Sequence, residues 1–291
     1  MANVKITDLT ALSGALAGAD LFEMVDDVAG TPASRKVTAA VVRDFTSMAQ
    51  ATGTDANTTM AINTLYVVDM SAWATADRTY TLPATAAVGD RIGIMVTAGD
   101  ASHELIITAG TGDTLNGISG GTEWSRLFIT NEVVIMRCVV ANATWIVEYD
   151  GRIACNGSIT RTTVQAMGSG AFNKVNVATS EISVGGIVNT SSSRIDVRRA
   201  GNYTVGGFAR LDLVTGKSLV VGIGLNGTVV ARGQGMSSAA VGTIGVAGLV
   251  PLVAAAGDYF ELYIYHDKGA NADTATVSDS VPRLFAKEEL K

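Results

Sequence analysis

The sequence predicts a mainly β chain in three parts, and three observations predict it. The 291 residues are rich in glycine (32) and poor in proline (4), the balance that short strands joined by tight turns require. Segments of strand length alternate apolar and polar residues, most plainly Tyr259-Phe260-Glu261-Leu262-Tyr263-Ile264-Tyr265-His266. These segments gather into two blocks, 65–150 and 158–291, while residues 1–50 follow a different pattern.

Composition narrows the function classes. The chain is 47% hydrophobic and 16% charged, which is not the profile of a disordered segment. A net charge of −6 and a pI near 5.0 argue against a nucleic-acid surface, which needs clustered Lys and Arg. The most apolar windows, 133–140 and 249–256, fall far short of the roughly 20 residues of a membrane helix. The start, Met1-Ala2-Asn3-Val4-Lys5, carries no signal-peptide core. The expectation is a protein made in a cytoplasm, with no membrane insertion and no nucleic-acid partner. Cys138 and Cys155 read as reduced and buried rather than as a disulfide scaffold, although their spacing leaves a bridge open.

Residues 1–50 form a small α+β module. Ile6-Thr7-Asp8-Leu9 precedes an apolar stretch through Leu21 and Phe22, and Gly30-Thr31-Pro32 marks a turn. Thr38 suits an N-cap for a helix over 39–48, in which Val41, Val42, Phe45 and Met48 recur at helical spacing. The segment is too small for a robust core of its own, so it reads as a docking module. Its predicted docking residues are Leu9, Leu21, Phe22, Val41 and Phe45. The small polar stretch 51–64 reads as a linker.

The middle block, 65–150, predicts a β-sandwich or small barrel from short strands with turns at Val88-Gly89-Asp90 and across 109–121. The last block, 158–291, holds eight to ten expected strands, among them 201–213, 218–225, 228–232, 242–253 and 258–266. Asn226-Gly227 is the expected hairpin turn. In the strand 258–266, Phe260, Leu262 and Ile264 share one face and Tyr259, Tyr263 and Tyr265 the other. An aromatic second face suggests cover by another subunit.

Several of these segments resemble known families. The elements Ile6-Thr7-Asp8-Leu9, Leu16 through Asp20, Lys36-Val37-Thr38 and Phe45 resemble the short module at the ends of bacteriophage tail-fibre and spike proteins. Tyr80-Thr81-Leu82-Pro83, Val88-Gly89-Asp90-Arg91-Ile92, Gly112-Asp113-Thr114-Leu115-Asn116-Gly117 and Trp145 resemble a second module of phage fibres, with Leu115 where Ile is usual. Ala200 through Phe208, Asn226-Gly227-Thr228, Gly257 through Leu262 and Leu284-Phe285-Ala286 resemble the strands of C1q/TNF-like domains in phage proteins. The resemblance implies a C-terminal C1q/TNF-like jelly roll and a homotrimeric fibre with Tyr259, Tyr263 and Tyr265 at the subunit interface. It also implies a virion protein, assembled in the host cytoplasm. Its partners would be its own copies, phage tail or capsid proteins, and a host surface glycan or outer-membrane protein. A capsid-bound head fibre or decoration protein, a fibre-borne glycan hydrolase or esterase, and a non-viral C1q-like adhesin are the alternatives.

No catalytic pattern accompanies these features. His103 and His266 read as turn or surface histidines, with no nucleophile elbow beside them. Gly110-Thr111-Gly112-Asp113 resembles a phosphate loop but lacks the Gly-Lys-Ser/Thr ending. Two Cys and two His at distant positions make no zinc spacing. Asp267, Asp273 and Asp279 could hold calcium, but nothing in their spacing fixes a coordination geometry, so no metal and no cofactor are expected. Receptor contact is assigned to the polar, glycine-rich loops 233–241 and 268–276, through Gln234, Ser237, Ser238, Lys268, Asn271 and Asp273.

Overall fold

The computed structural model describes residues 21–25, 34–38, 48–73, 76–236, 243–274 and 281–290. Among these residues the chain is β throughout, and no helix is long and apolar enough to cross a membrane. The helix expected over 39–48 lies outside the described residues except for Met48. In the N-terminal module the structure describes one hairpin. Strands β1 (Leu21–Val25) and β2 (Ser34–Thr38) pair antiparallel, with Leu21 opposite Thr38 and Phe22 opposite Val37.

The middle unit begins earlier than expected. Its strands are β3 (Ala49–Thr52), β4 (Thr58–Thr59), β5 (Thr64–Asp69), β6 (Arg78–Thr81), β7 (Arg91–Ala98) and β8 (Leu105–Thr108). They continue as β9 (Thr114–Leu115), β10 (Ile118–Ser119), β11 (Glu123–Leu127), β12 (Val133–Val140) and β13 (Thr144–Gly151). The stretch 51–64, expected to be a linker, supplies the end of β3 and all of β4. The reason is visible in the pairing: β3 lies parallel to β5 and β4 parallel to β6. A polar, small-residue segment can serve as an edge strand because backbone groups rather than an apolar face make the ladder.

The threading of this unit is a correction to the simple sandwich or barrel. Two sheets do face each other, in the orders β10-β9-β13-β12-β7-β5-β3 and β11-β8-β6-β4. The chain passes back and forth between them, and β3, β5 and β7 stack parallel in one sheet while β4, β6 and β8 stack parallel in the other. This is a short parallel coil. Antiparallel β11 then closes onto β8 and β12 onto β7. The inward residues stack in rows: Tyr66 beside Ile94, Val68 beside Val96, and Tyr80 beside Ile107. All are buried, and the two tyrosine hydroxyls are satisfied inside the fold. Tyr66 Oη accepts from Ala61 N at 2.7 Å, and Tyr80 Oη accepts from Thr54 N and donates to Thr54 O.

The C-terminal unit comprises β14 (Asn156–Thr160), β15 (Ala166–Met167), β16 (Asn173–Lys174), β17 (Thr179–Val184), β18 (Val188–Asn189), β19 (Arg194–Asp196) and β20 (Gly201–Leu211). It continues through β21 (Ser218–Leu225), β22 (Thr228–Met236), β23 (Thr243–Ala254), β24 (Tyr259–His266), β25 (Ala272–Asp273) and β26 (Arg283–Glu289). One sheet runs β17-β14-β26-β20-β23 and the other β18-β19-β24-β21-β22, all antiparallel. Successive long strands alternate between the sheets except at the hairpin of β21 and β22. That strand order is a jelly roll. The hairpin turn is Asn226-Gly227 as expected, with φ of 51° and 80°, the left-handed pair that a two-residue turn demands.

The core follows from the alternation. Phe260, Leu262 and Ile264 of β24 meet Tyr203, Val205, Ala209 and Leu211 of β20 and Leu219, Val221 and Ile223 of β21, all buried. Tyr203 packs against Phe260 at 5.6 Å, and its hydroxyl donates to Arg199 O at 2.7 Å.

Candidate functional site

The structure carries its chemistry at four places: the seam between the two units, the tyrosine face of β24, the outer face of the opposite sheet, and two clefts.

The seam is set by Arg198 and Arg199, which precede β20. Arg199 is buried, and its guanidinium reaches Glu132 Oε1 (2.5 Å) in the middle unit and Glu288 Oε2 (2.9 Å) on β26. It also donates to Arg126 O and Ile153 O. Glu132, equally buried, accepts the N–H groups of Phe128, Ile129 and Ile153 as well. Arg198 binds Glu104 Oε1 at 2.8 Å and the carbonyls of Asp100, His103 and Gly185. The Phe128 ring lies under both guanidiniums, at 4.1 and 4.8 Å. Burial works against the charge on Arg199, but Glu132 and Glu288 outweigh it and hold the pKa above its ordinary value. A network so fully satisfied is a rigid joint rather than a binding site.

The tyrosine face is partly covered by its own chain. Arg194 lies over the Tyr259 ring at 4.2 Å, and Phe172 packs on Tyr265 at 5.6 Å. Tyr263 Oη donates to Glu261 Oε2 at 2.8 Å, while Glu261 Oε1 pairs with Lys174 Nζ, which also donates to Ser192 O. Burial and the Glu261 carboxylate push the Tyr263 phenol up to about 12. β16 brings Lys174 to this face by pairing with β24 at Ile264 and Tyr263. With these contacts Tyr259, Tyr263 and Tyr265 are each half-buried within the chain.

Uncovered apolar surface lies instead on the other sheet. On β23, Ile244, Val246, Leu249 and Val253 are 53, 54, 67 and 77% exposed. Their neighbours across the ladder extend the band: Phe208 stands opposite Val246, and Pro251 opposite Thr204. Phe285 on β26 lies flat over Gly206, where an added Cβ would stand 2.4 Å from the ring, and Ile182 on β17 is exposed beyond it. Arg283, with Glu181 at 2.6 Å, Thr204 with Glu289, and Lys287 supply polar groups beside the band. An apolar centre with a polar border is the anatomy of a protein–protein interface.

Of the two clefts, the larger, about 480 Å³, opens at the seam between Trp124, Arg152 and Asn116 on one side and Gly201, Asn202 and Val253 on the other. Its guanidinium is engaged: Arg152 binds Asp150 at 2.6 Å and lies over Trp124 at 4.7 Å. The second, about 400 Å³, lies on the outer face of the β24 sheet between Phe172, Val220, Arg232, Gly233 and Tyr265.

The other expected site residues are scattered. Leu21 and Phe22 lie on β1, and Leu9, Val41 and Phe45 fall outside the described residues. Gln234 is not in a loop: β22 runs on to Met236, because backbone pairing with β21 continues to Ser218. Ser237 and Ser238 lie outside the described residues. Lys268 and Asn271 occupy the turn after β24, with Lys268 Nζ donating to Asp212 O. Asp273 belongs to β25, paired with Ala166, so this segment is strapped down rather than free. His266 is buried, not on the surface, with Nε2 2.9 Å from Met167 O and Nδ1 accepting from Lys268 N. His103 sits beside Asp100 at 3.3 Å. Cys138 and Cys155 are free thiols, both buried. Among the described residues no group of three or more His, Cys, Asp or Glu could hold a metal ion.

No protein-family model matches the chain, and no curated protein does. Solved structures do. Murine APRIL at pH 5.0 is 13% identical, with a TM-score of 0.38, over 47% of this chain and 100% of that one. The globular domain of zebrafish complement 1qA is 12% identical, with a TM-score of 0.35, over 47% and 98%. The Eiger TNF of S. frugiperda is 11% identical, with a TM-score of 0.34, over 48% and 93%.

Proposed function

We propose that the protein is a structural attachment protein of a virion, a homotrimeric phage fibre or spike. Its N-terminal module docks on the particle, its middle unit spaces, and its jelly roll meets the host surface. One observation carries the self-association: the band of Ile244, Val246, Leu249 and Val253 exposed on β23 and flanked by Phe208 and Phe285. Burying one such side chain is worth about 1.5–3 kcal/mol, so several together give a strong drive to cover the band with a second copy. The virion reading is supported by the likeness of Ile6-Thr7-Asp8-Leu9, Lys36-Val37-Thr38 and Tyr80-Thr81-Leu82-Pro83 to phage fibre modules.

In this reading the subunit interface moves from the tyrosine face to the β23 sheet. Sedimentation of the purified protein is expected to give three times the chain mass. The double variant Val246→Asp, Leu249→Asp should sediment as a folded monomer, and Tyr263→Phe should leave the trimer intact. A wild-type monomer at micromolar concentration would end the trimer reading. Particles imaged with a label at the C-terminus test the virion reading, which fails if no particle carries the label.

A further inference from the structure

Arg232 stands on β22, opposite Gly222 on β21, and its guanidinium lies 4.9 Å from the centre of the Phe172 ring. It is exposed, and among the described residues no carboxylate lies within ion-pair distance of it. The guanidiniums described at the seam are engaged by carboxylates, whereas that of Arg232 lines a cavity. Phe172 and Tyr265 form the wall beside it, and Val220 and Gly233 form the floor.

The wall is fixed before any ligand arrives. Phe172 rests against Gly222, where an added Cβ would come within 3.2 Å of Cε1. The next residue, Asn173, pairs with Ile264 and donates its side-chain amide to Gly168 O and Ala171 O. Tyr265 therefore sits on paired backbone and Phe172 directly before a paired residue, so little ordering is left to be done on binding.

We infer that this cleft binds a carboxylated sugar ring, such as a uronic acid unit of a surface polysaccharide. The aromatic faces of Phe172 and Tyr265 match the apolar C–H face of a pyranose. The planar fork of Arg232 matches a carboxylate, which it can hold by two charge-assisted hydrogen bonds. The volume, about 400 Å³, lies in the range of small-ligand sites. A neutral sugar would leave the guanidinium unused, so the charge sets the preference. This inference deepens the attachment reading by naming the ligand class, and it places recognition on a strand face rather than on the loops at 233–241 and 268–276.

The test is titration of the full chain with a tetramer of galacturonic acid, and with its carboxyl-reduced counterpart as the neutral control. The acidic tetramer is expected to bind and to weaken as salt rises. Arg232→Gln should weaken it at least about tenfold, or ~1.4 kcal/mol, while leaving the neutral tetramer unchanged. Phe172→Leu should weaken both, with thermal stability measured alongside to exclude misfolding. Absence of saturable binding to the acidic tetramer at millimolar concentration overturns the inference. So does binding that Arg232→Gln leaves untouched. Because particle labelling is read separately, sugar binding by a chain absent from virions would sink the virion reading alone. A labelled particle with no sugar binding would sink this one alone.

Discussion

Replacing Arg199 with Met would remove the guanidinium and leave the Glu132 and Glu288 carboxylates facing each other, both buried. Breaking a buried pair by taking away one partner costs about 3–5 kcal/mol, because the remaining charge has neither water nor a counter-ion. At roughly 2–4 °C per kcal/mol for a body of this size, the expected fall in Tm is about 6–20 °C. The assay separates the two units cleanly. Trp73, Trp124 and Trp145 are the chain's three tryptophans, and all lie in the middle unit. The fluorescence of buried Trp73 and Trp145 follows that unit, with Trp124 at the seam replaced by Phe in both proteins, whereas far-UV circular dichroism follows both. In the wild type the two signals should melt together, and in Arg199→Met they should part, the loss of coincidence marking uncoupled units. A fall of less than about 2 °C, with coincident melts, would refute the claim that this residue joins the units.

Acid should loosen the same region. The pKa values of Asp100 and Asp150 are lowered: burial alone would raise them, but the N–H groups of Ser102 and His103 in the first case, and Arg152 in the second, outweigh it. A depressed carboxylate contributes stability above its unfolded pKa and loses it as pH falls through the folded one. The urea midpoint should therefore drop as the pH falls below the ordinary carboxylate range, and less so in Asp150→Asn. Neither thiol should react with a disulfide reagent in the native protein, since burial pushes Cys155 and Cys138 up and hides both. Two thiols should titrate in denaturant. Gly227→Ala forces a side chain onto a φ of 80° and is expected to cost about 1–2 kcal/mol in urea unfolding.

How much of this was legible in the sequence depends on the range of the signal. The long strands of the jelly roll were, because alternation and turns are local: β21 falls on 218–225 as expected, and β24 differs by one residue. The short edge strands were not. β17 is exposed along almost its whole length, so it carries no apolar period to read. The parallel coil was hidden for a different reason. The alternation of Thr64–Asp69 looks the same whether its neighbour runs parallel or antiparallel, and only the pairing partner distinguishes them. Arg198-Arg199 drew no reading, because nothing nearby in sequence announces Glu104, Glu132 or Glu288. The cleft of Phe172, Arg232 and Tyr265 draws on segments about 30 to 90 residues apart in a chain whose local patterns reach only a few residues. The contacts that β16 brings to the tyrosine face were not legible, since β16 is two residues long and polar.

The Arg199 joint also determines how the molecule would carry load. Without it, a pull on one unit would reach the other along the covalent strand between β13 and β14 and through the Arg198 contacts. With it, tension divides among side-chain struts anchored on Glu132, on Glu288 and on the carbonyls of Arg126 and Ile153. The hinge is thereby converted into a strut, and the jelly roll cannot swivel on the coil without first tearing out a buried ion pair. A joint built this way would transmit torque as well as tension, keeping the Arg232 cleft and the β23 face at a fixed bearing relative to the middle unit.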